Sequence, residues 1–424
     1  GAPAAALEGR PAAPPDEPRT ISGEDLIKIV TAMVGRQQSR IRIGGRDCFD
    51  DIVQNACYEV CRTYGTDRIP LAPIRQIVST TISRAQGHVN LGSTDRRAMR
   101  ALASLREAPV LVALALLVLA TWALNPRFLT PQGIKDLFLN ATIAMLMAAG
   151  QSLIIQSEGV DLSVGSILGG SAFLTGVLFA SAPGVPIIAV FLAGTALGAA
   201  LGAVNGLLVT RARVPAMVIT LGTLYVFRGA LNWWAGSTQY FAGDRPQAFG
   251  DLGVATVMGF PLLTLLAVAF IAAISLFQRY ARSGRDLYAI GSDRAAAAVY
   301  GIPVGSRVLM AFIVNGAMVG LGGVLYASRF NSVGATTGSG MELDIVAACV
   351  VGGVAMTGGV GTAYGAAIGA LLLNTMTSAL TAIGVDKFWQ RAVVGALILV
   401  AIVIDRVSTV RRRESLRKEG GASA

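Results

Sequence analysis

The sequence predicts an all-α integral membrane protein, a polytopic helix bundle with about ten transmembrane helices, and three observations support this. Of the 424 residues, 53% are hydrophobic and only 14% are charged, with a mean hydropathy of +0.60. The chain also contains 50 glycines, well above the usage of soluble globular domains. Finally, long uncharged runs fill residues 108–404, whereas charges are frequent in residues 1–106.

Composition divides the chain into four predicted regions. The Ala- and Pro-rich start is typical of a disordered leader, and the next segment has helical periodicity near 24–35, 49–64 and 72–85. The predicted regions are a leader (1–20), a small helical cytosolic extension of unknown role (21–95), a transmembrane domain (107–406) and a basic cytoplasmic tail (407–424). No basic start followed by an apolar core is present, so no cleavable signal peptide is predicted.

The cysteines do not predict a disulfide framework or a metal site. Cys48, Cys57 and Cys61 lie in a segment expected in the cytoplasm, and Cys349 lies in an apolar run. A zinc site formed by the first three with His88 is conceivable, but the spacing matches no established ligand pattern. Core packing of these thiols is the preferred interpretation, and no bound metal is expected.

Apolar segments of spanning length follow one another along the membrane body. They lie near 108–124, 139–157, 164–181, 186–209, 214–234, 253–277, 307–327, 344–357, 361–383 and 391–405. With the N-terminus inside, this count puts every strong arginine cluster on the cytoplasmic side, as the positive-inside rule requires. The short segment 344–357 and the glycine-rich join 352–361 are also compatible with a re-entrant or broken helix.

A basic loop at 283–306 separates two of these spans, with Arg279, Arg282, Arg285, Arg294 and Arg307 in or beside it. It is therefore predicted to face the cytoplasm. Within it, the sequence predicts a short helix on the membrane surface, opened by an Asp293 cap and ended by Gly301. An ordinary loop with one helical turn is the alternative.

Acidic and hydroxyl side chains interrupt the apolar body between the second and third spans, in Glu158-Gly-Val-Asp161-Leu-Ser163-Val-Gly-Ser166. A carboxylate deep in the bilayer is energetically costly, so it is expected either to have a polar partner or to serve a function. Asp161 is expected either to bond backbone N–H groups at the start of the next helix, or to cap a simple cytoplasmic turn.

Two further groups of polar residues lie in the predicted transmembrane region. Thr220, Thr223 and Phe227 share neighbouring helix positions, which suits either a polyhydroxylated solute or helix–helix contact. Arg228 beside them must reach an interface or pair with an acid. Glu342 and Asp344 stand at the outer mouth of the eighth span, either as functional polar groups or simply as acids at the positive end of a helix dipole.

Small residues recur at helical spacing, as in Gly194-xxx-Gly198-xxx-Gly202 and Gly361-xxx-Gly365-xxx-Gly369. Such stripes let helix backbones approach closely. Packing within a tight bundle is favoured over a dimer surface.

Several function classes are disfavoured. The sequence has no phosphate-binding P-loop, no HExxH motif and no nucleophile elbow, so catalysis within this chain is not expected. The formal charge of +10 comes largely from arginines at span edges, where membrane topology explains them without nucleic acid.

Taken in order, five stretches resemble the permease subunit of ribose-type ABC importers of simple sugars, a binding-protein-dependent transport system. They are GVDLSVGS (159–166), NGLLVTRARVPAMVITLGTLYVFRG (205–229), GRDLYAIGSDRAAAAVYGIPV (284–304), the run at 339–373 and the ending at 389–405. The resemblance covers about 108–405 and leaves the long N-terminal extension unexplained.

The resemblance implies a type II permease of the vitamin-B12-importer kind that moves a monosaccharide across the bacterial inner membrane, with both termini cytoplasmic. Its implied partners are two ABC ATPase subunits, a periplasmic sugar-binding protein and a second permease copy or close paralogue. ATP and Mg²⁺ would bind the ATPase, and no cofactor is expected in this chain. The residues expected to couple to the ATPase are Arg285, Gly291, Asp293, Arg294, Ala296 and Gly301. Those expected to line or support the pathway are Asp161, Ser163, Thr220, Thr223, Phe227, Glu342 and Asp344.

Two other functions are compatible with the sequence. A proton-coupled secondary transporter would use Asp161 or Glu342 as a proton relay. A membrane receptor or scaffold would work through its N-terminal head instead.

Overall fold

The computed structural model describes residues 108–182, 184–212, 214–386, 388–390, 392–393 and 395–396, together with the backbone of four two-residue strands nearer the N-terminus. The chain divides into two compact units, Gly1–Ser104 and Leu105–Ala424. Several predictions lie outside the described residues: residues 1–19 of the leader, the three N-terminal helices, the candidate zinc ligands, most of the span at 391–405 and the basic tail.

The described part of the first unit consists of two short antiparallel pairs. Strand β1 (Thr20–Ile21) pairs with β4 (Ile69–Pro70), and β2 (Arg42–Ile43) pairs with β3 (Arg46–Asp47). The sequence pattern predicted no strand in this region.

The second unit is a helix bundle with short strand pairs in its loops. Its helices are α1 (Ala108–Leu124), α2 (Pro131–Gln156), α3 (Val164–Ser181), α4 (Ile187–Ala212), α5 (Ala216–Ala235), α6 (Gln247–Leu252), α7 (Leu262–Tyr280), α8 (Arg282–Ser292), α9 (Arg294–Val299), α10 (Val304–Arg329), α11 (Met341–Val351) and α12 (Ala363–Ala382). Strand β5 (Tyr240–Phe241) pairs with β8 (Ser332–Val333), and β6 (Thr256–Val257) pairs with β7 (Phe260–Pro261).

Six helices in the described part of the chain are long and apolar enough to cross a membrane: α2, α3, α4, α7, α10 and α12. Helix α1 has 17 residues, and α5 has 20 with an arginine in its second half. The predicted all-helical membrane bundle is therefore confirmed.

Helices α2, α3 and α10 form the centre of the bundle. Their most apolar stretches are 89%, 72% and 72% buried, against 22% for α4 and 33% for α7. Helix α4 packs on α10 through the predicted glycine stripe, because a Cβ on Gly198 or Gly202 would overlap backbone atoms of α10. The second stripe packs the same way, since a Cβ on Gly369 would overlap the Ala348 carbonyl of α11. Both stripes thus serve packing within the chain.

Three predicted segments differ from the structure. Segment 344–357 is not a full span, because α11 has only 11 residues and rises about 16 Å, well short of a 30 Å hydrocarbon core. The glycine-rich join 352–361 breaks it, with positive φ at Gly353, Gly358, Gly359 and Gly361.

The segment predicted as 253–277 becomes helical only at Leu262, because the β6–β7 hairpin occupies its start. Helix α2 begins earlier than the predicted residue 139, at Pro131, where Thr130 Oγ1 accepts the Gly133 N–H.

Candidate coupling segment and translocation pathway

The basic loop folds as two helices joined by one residue. Asp293 Oδ1 accepts the Ala296 N–H at 2.9 Å and caps α9, while Gly301 ends the segment with φ +79°. The predicted short helix is confirmed. Helix α8 was not predicted, although Leu287 and Ile290, both fully buried, lie at helical spacing between small residues.

The predicted coupling residues do not all face outward. Arg285, Asp293, Arg294 and Gly301 are exposed and Ala296 is half-buried. Gly291, by contrast, is buried: a Cβ there would overlap the Gln156 carbonyl oxygen of α2. Gly291 therefore packs the segment onto the bundle and is not positioned to contact a partner directly.

The last residue of α9 and the residue after it carry large side chains that are strongly exposed. Val299 is 87% exposed and Tyr300 is 86% exposed. Sequence reasoning centred on the charged residues and missed this pair. Behind it, Arg307 Nε donates to Asp286 Oδ2 at 2.8 Å and ties α10 to α8. The segment is thus held firmly while its apolar tip projects.

Asp161 lies fully buried at the start of α3, in a cluster with Gln151, Ser163, Asn205 and Asn315 that we call the Asp161 cluster. Its Oδ1 accepts the Ser163 N–H at 2.8 Å and the Ser163 hydroxyl at 2.7 Å. Its Oδ2 accepts from Asn315 Nδ2 at 3.2 Å. The predicted bond from a backbone N–H at the helix start is present, and the turn is buried.

The two asparagines join α4 and α10 to this turn. Asn205 Nδ2 donates to Ser163 Oγ at 2.7 Å, and it lies 3.4 Å from Asp161 Oδ1. Gln151 of α2 donates to the Asp161 carbonyl oxygen at 3.2 Å. The Asp161 cluster therefore links α2, α3, α4 and α10. No motif pointed to the amides, but lone asparagines in apolar spans are a signal in themselves.

The threonines of α5 complete the same region. Thr220 Oγ1 donates to the Val160 carbonyl at 2.9 Å, and Thr223 Oγ1 donates to the Thr220 carbonyl at 3.2 Å. Both side chains are buried, whereas Phe227 is half-buried. In this conformation, the two hydroxyls serve helix contacts, the second of the two interpretations that the sequence allowed.

Arg228 of α5 holds a loop that enters the bundle. Its Nη1 donates to the Thr337 carbonyl at 2.7 Å and to the Ala335 carbonyl at 3.0 Å. Glu342 lies near enough to attract it electrostatically. The guanidinium is thus satisfied mainly by backbone carbonyls, where the sequence suggested an acid or an interface.

Glu342 and Asp344 occupy the first turn of α11 but differ in environment. Asp344 is exposed. Glu342 Oε2 is buried without a hydrogen-bond partner among the described residues, and it packs against Gly165 at the start of α3. Helices α3 and α11 therefore begin beside each other inside the bundle.

Two cavities flank this region. One of about 470 Å³ lies at the α9 end, with Glu158, Gly159, Pro215, Ala216 and Arg294 among its lining residues. The other, about 300 Å³, lies at the β5–β8 end. Its lining includes the polar residues Gln239, Ser332, Thr336, Thr337 and Ser339.

Between the two cavities stand the starts of α3 and α11, packed against α5. The bundle therefore has a cavity at each end, as expected of a membrane transport protein: a mainly polar one at the β5–β8 end and one of mixed lining, which includes Val308 and Phe312, at the α9 end. Among the described residues, no three His, Cys, Asp or Glu side chains are grouped to hold a metal ion.

The fold and these chambers define a multi-pass membrane permease. The family described as "Branched-chain amino acid transport system / permease component" matches residues 133–402, and the chain belongs to it. The predicted resemblance to ribose-type import permeases is confirmed by the relatives described next.

The chain is 35% identical over 324 residues to the autoinducer 2 import system permease protein LsrC of Enterobacter sp. (strain 638), covering 75% of this chain and 93% of the relative. It is 33% identical over 306 residues to the ribose import permease protein RbsC of Escherichia coli (strain K12), covering 71% and 94%. No solved structure matches the chain.

Proposed function

We propose that this chain is the transmembrane subunit of an ATP-driven importer that carries a monosaccharide or similar polyol into the cytoplasm. One observation carries the proposal: α8 and α9 form a segment fixed to the bundle by Gly291 and Asp286, yet ending in the projecting pair Val299 and Tyr300. Such a segment suits a soluble partner that pushes on the bundle.

The proposed orientation puts the α9 end in the cytoplasm, because Arg279, Arg282, Arg285 and Arg294 gather there. The β5–β8 end then faces outward and receives solute from a periplasmic binding protein. Solute would move from the β5–β8 cavity to the α9 cavity as the packed starts of α3 and α11 separate. In this proposal the chain catalyses no covalent reaction, and ATP and Mg²⁺ bind to the partner ATPase.

A second permease copy, identical or paralogous, belongs to this proposal. Helix α5 offers an exposed face that includes Leu221, Tyr225 and Val226, which are 45%, 70% and 65% exposed. We place this face toward the second copy.

The proposed location of the protein is the bacterial inner membrane, with both termini cytoplasmic.

The class of solute follows from two kinds of support. The β5–β8 cavity is lined by hydroxyl and amide groups, which suit a neutral polyhydroxylated molecule. One relative at 33% identity is named as a ribose import permease. We therefore expect a ribose-like pentose, a hexose, a deoxyhexose or a polyol.

The test is uptake of radiolabelled ribose, then of other labelled sugars, into proteoliposomes holding the permease, its ATPase and its binding protein. Uptake should require ATP and persist when a proton ionophore is present. Arg294→Glu and Gly301→Pro should abolish uptake while the permease still inserts, since proline cannot adopt the positive φ of Gly301.

Uptake that survives ATP depletion and collapses with the proton gradient would instead establish secondary transport. Undiminished uptake in both variants would also count against the proposal. Loss of all activity on deleting residues 1–95 would favour the receptor or scaffold alternative.

A further inference from the structure

The inner face of α8 packs backbone to backbone against two other elements. A Cβ on Gly291 would overlap both the Gln156 carbonyl at the end of α2 and the Gly359 nitrogen in the join 352–361. The Gly359 N–H donates to that same Gln156 carbonyl at 2.9 Å. Helix α8, the end of α2 and the glycine-rich join are therefore held together without intervening side chains.

A set of buried and partly buried hydrogen bonds, which we call the Gln156 network, crosses the same junction. Gln156 Nε2 and Tyr288 Oη both donate to the Gly361 carbonyl, at 2.9 Å and 2.8 Å. Gln278 Nε2 donates to Gln156 Oε1 at 3.0 Å, and Gln278 Oε1 accepts the Ala363 N–H at 2.9 Å. The network thus joins α2, α7, α8 and the start of α12.

The network lies directly beside the α9-side cavity. Gln156 is the last residue of α2, and Ser157, Glu158 and Gly159, which follow it, line that cavity. Arg294, two residues beyond the end of α8, also lines this cavity. Glu158 holds a positive φ of 65°, which fixes the turn in a sharply defined conformation.

We propose that Tyr288 and Gln156 are positioning residues that carry the displacement of α8 and α9 to the α2–α3 turn, so that the α9-side cavity opens or closes with the motion of the ATPase. This proposal rests on the proposed function. Tyr288 acts through the Gly361 carbonyl and Gln156, and it contacts neither solute nor nucleotide.

The testing variant is Tyr288→Phe, which keeps the ring and removes only the hydroxyl. Tyr280→Phe is the matched control, since Tyr280 lies at the end of α7 and is 65% exposed. The readout is the number of ribose molecules taken up per ATP hydrolysed in the reconstituted importer. A packing role alone would lower both rates together and leave this ratio unchanged.

Tyr288→Phe should bind the ATPase and hydrolyse ATP at close to the wild-type rate, while ribose uptake per ATP falls by up to about tenfold, the effect of losing one buried hydrogen bond from one conformational state. Gln156→Met should lower the ratio similarly, and the double variant should be little worse than either, because both changes break one network.

The experiment distinguishes failure of the proposed function from failure of the inference about Tyr288 and Gln156. No ATP-dependent uptake of any tested sugar by the wild type would overturn the proposed function. Wild-type uptake with an unchanged ratio in Tyr288→Phe would overturn this inference alone. Parallel loss of uptake, ATP hydrolysis and thermal stability would also overturn it, because that pattern marks a purely structural role.

Discussion

Gly198 of α4 and Gly316 of α10 touch backbone to backbone: a Cβ on either residue would overlap the carbonyl oxygen of the other. Neither helix can yield locally, because the overlapping atoms belong to the main chain. This contact fixes the distance between α4 and α10 at the centre of the bundle.

Gly198→Ala should therefore destabilise the permease by about 1–3 kcal/mol through overpacking. The melting temperature of the purified protein in detergent measures this. Gly305→Ala in α10 is the control, since no atom lies within 4 Å of a Cβ placed there, and replacing a helical glycine should be neutral or stabilising. Equal melting temperatures for the two variants would contradict the packing described here.

Asp161→Ala should lower stability by about 2–5 kcal/mol, because the buried Ser163 N–H, the Ser163 hydroxyl and the Asn315 amide lose the carboxylate that accepts from them. Asp161→Asn should have an intermediate effect, since one carboxylate oxygen becomes a donor. Thermal melting measures these effects. The control is Glu158→Gln, a change at an exposed acid nearby, which should alter stability by about 0.5 kcal/mol or less. A melting temperature for Asp161→Ala equal to that of the control would contradict the prediction.

Arg228→Leu should impair both stability and uptake, because the carbonyls of Ala335 and Thr337 lose their donor and Glu342 loses its nearby positive charge. Stability and uptake of Arg228→Lys should lie between those of the wild type and Arg228→Leu, since an ammonium keeps the charge but lacks the forked set of donors of a guanidinium. The double variant Arg228→Leu/Glu342→Leu should be more stable than Arg228→Leu, with a coupling energy of about 1–3 kcal/mol. Strict additivity in melting experiments would argue against the electrostatic link.

Val299→Ser and Tyr300→Ser should leave the melting temperature unchanged while weakening association with the ATPase, because both side chains project from the bundle. Co-purification of the tagged permease with its ATPase measures the association. Tyr280→Ser, at a side chain 65% exposed on neighbouring α7, is the control and should retain the partner. Full retention by Tyr300→Ser would remove this pair from the proposed interface.

Thr336→Val and Ser339→Ala should reduce ribose uptake without altering basal ATP hydrolysis, since they remove hydroxyls from the β5–β8 cavity. Uptake at saturating binding protein is the measurement. Thr256→Val, an exposed position outside that cavity's lining, should behave like the wild type. Normal uptake in the double variant Thr336→Val/Ser339→Ala would place the solute elsewhere.

The sequence predicted features that depend on local chemistry. Asp293 caps the helix that follows it, and the run 352–361 breaks a span because glycines there adopt positive φ. The sequence did not predict contacts that depend on how helices align. Asn205 and Asn315 meet at Asp161 although they lie 44 and 154 residues away, because the backbone contacts between α4 and α10 set their register. The burial of Gly291 likewise depends on where α2 ends, which no feature of the loop itself reveals.

The neighbouring starts of α3 and α11 bear on how the protein is made. Gly165 packs against Gly338 and Glu342, and Arg228 binds carbonyls at 335 and 337. The ribosome must therefore complete more than half of the remaining chain before the start of α3 meets the start of α11. Until then, the nascent permease carries an arginine without its carbonyl acceptors and a helix end that is not yet covered.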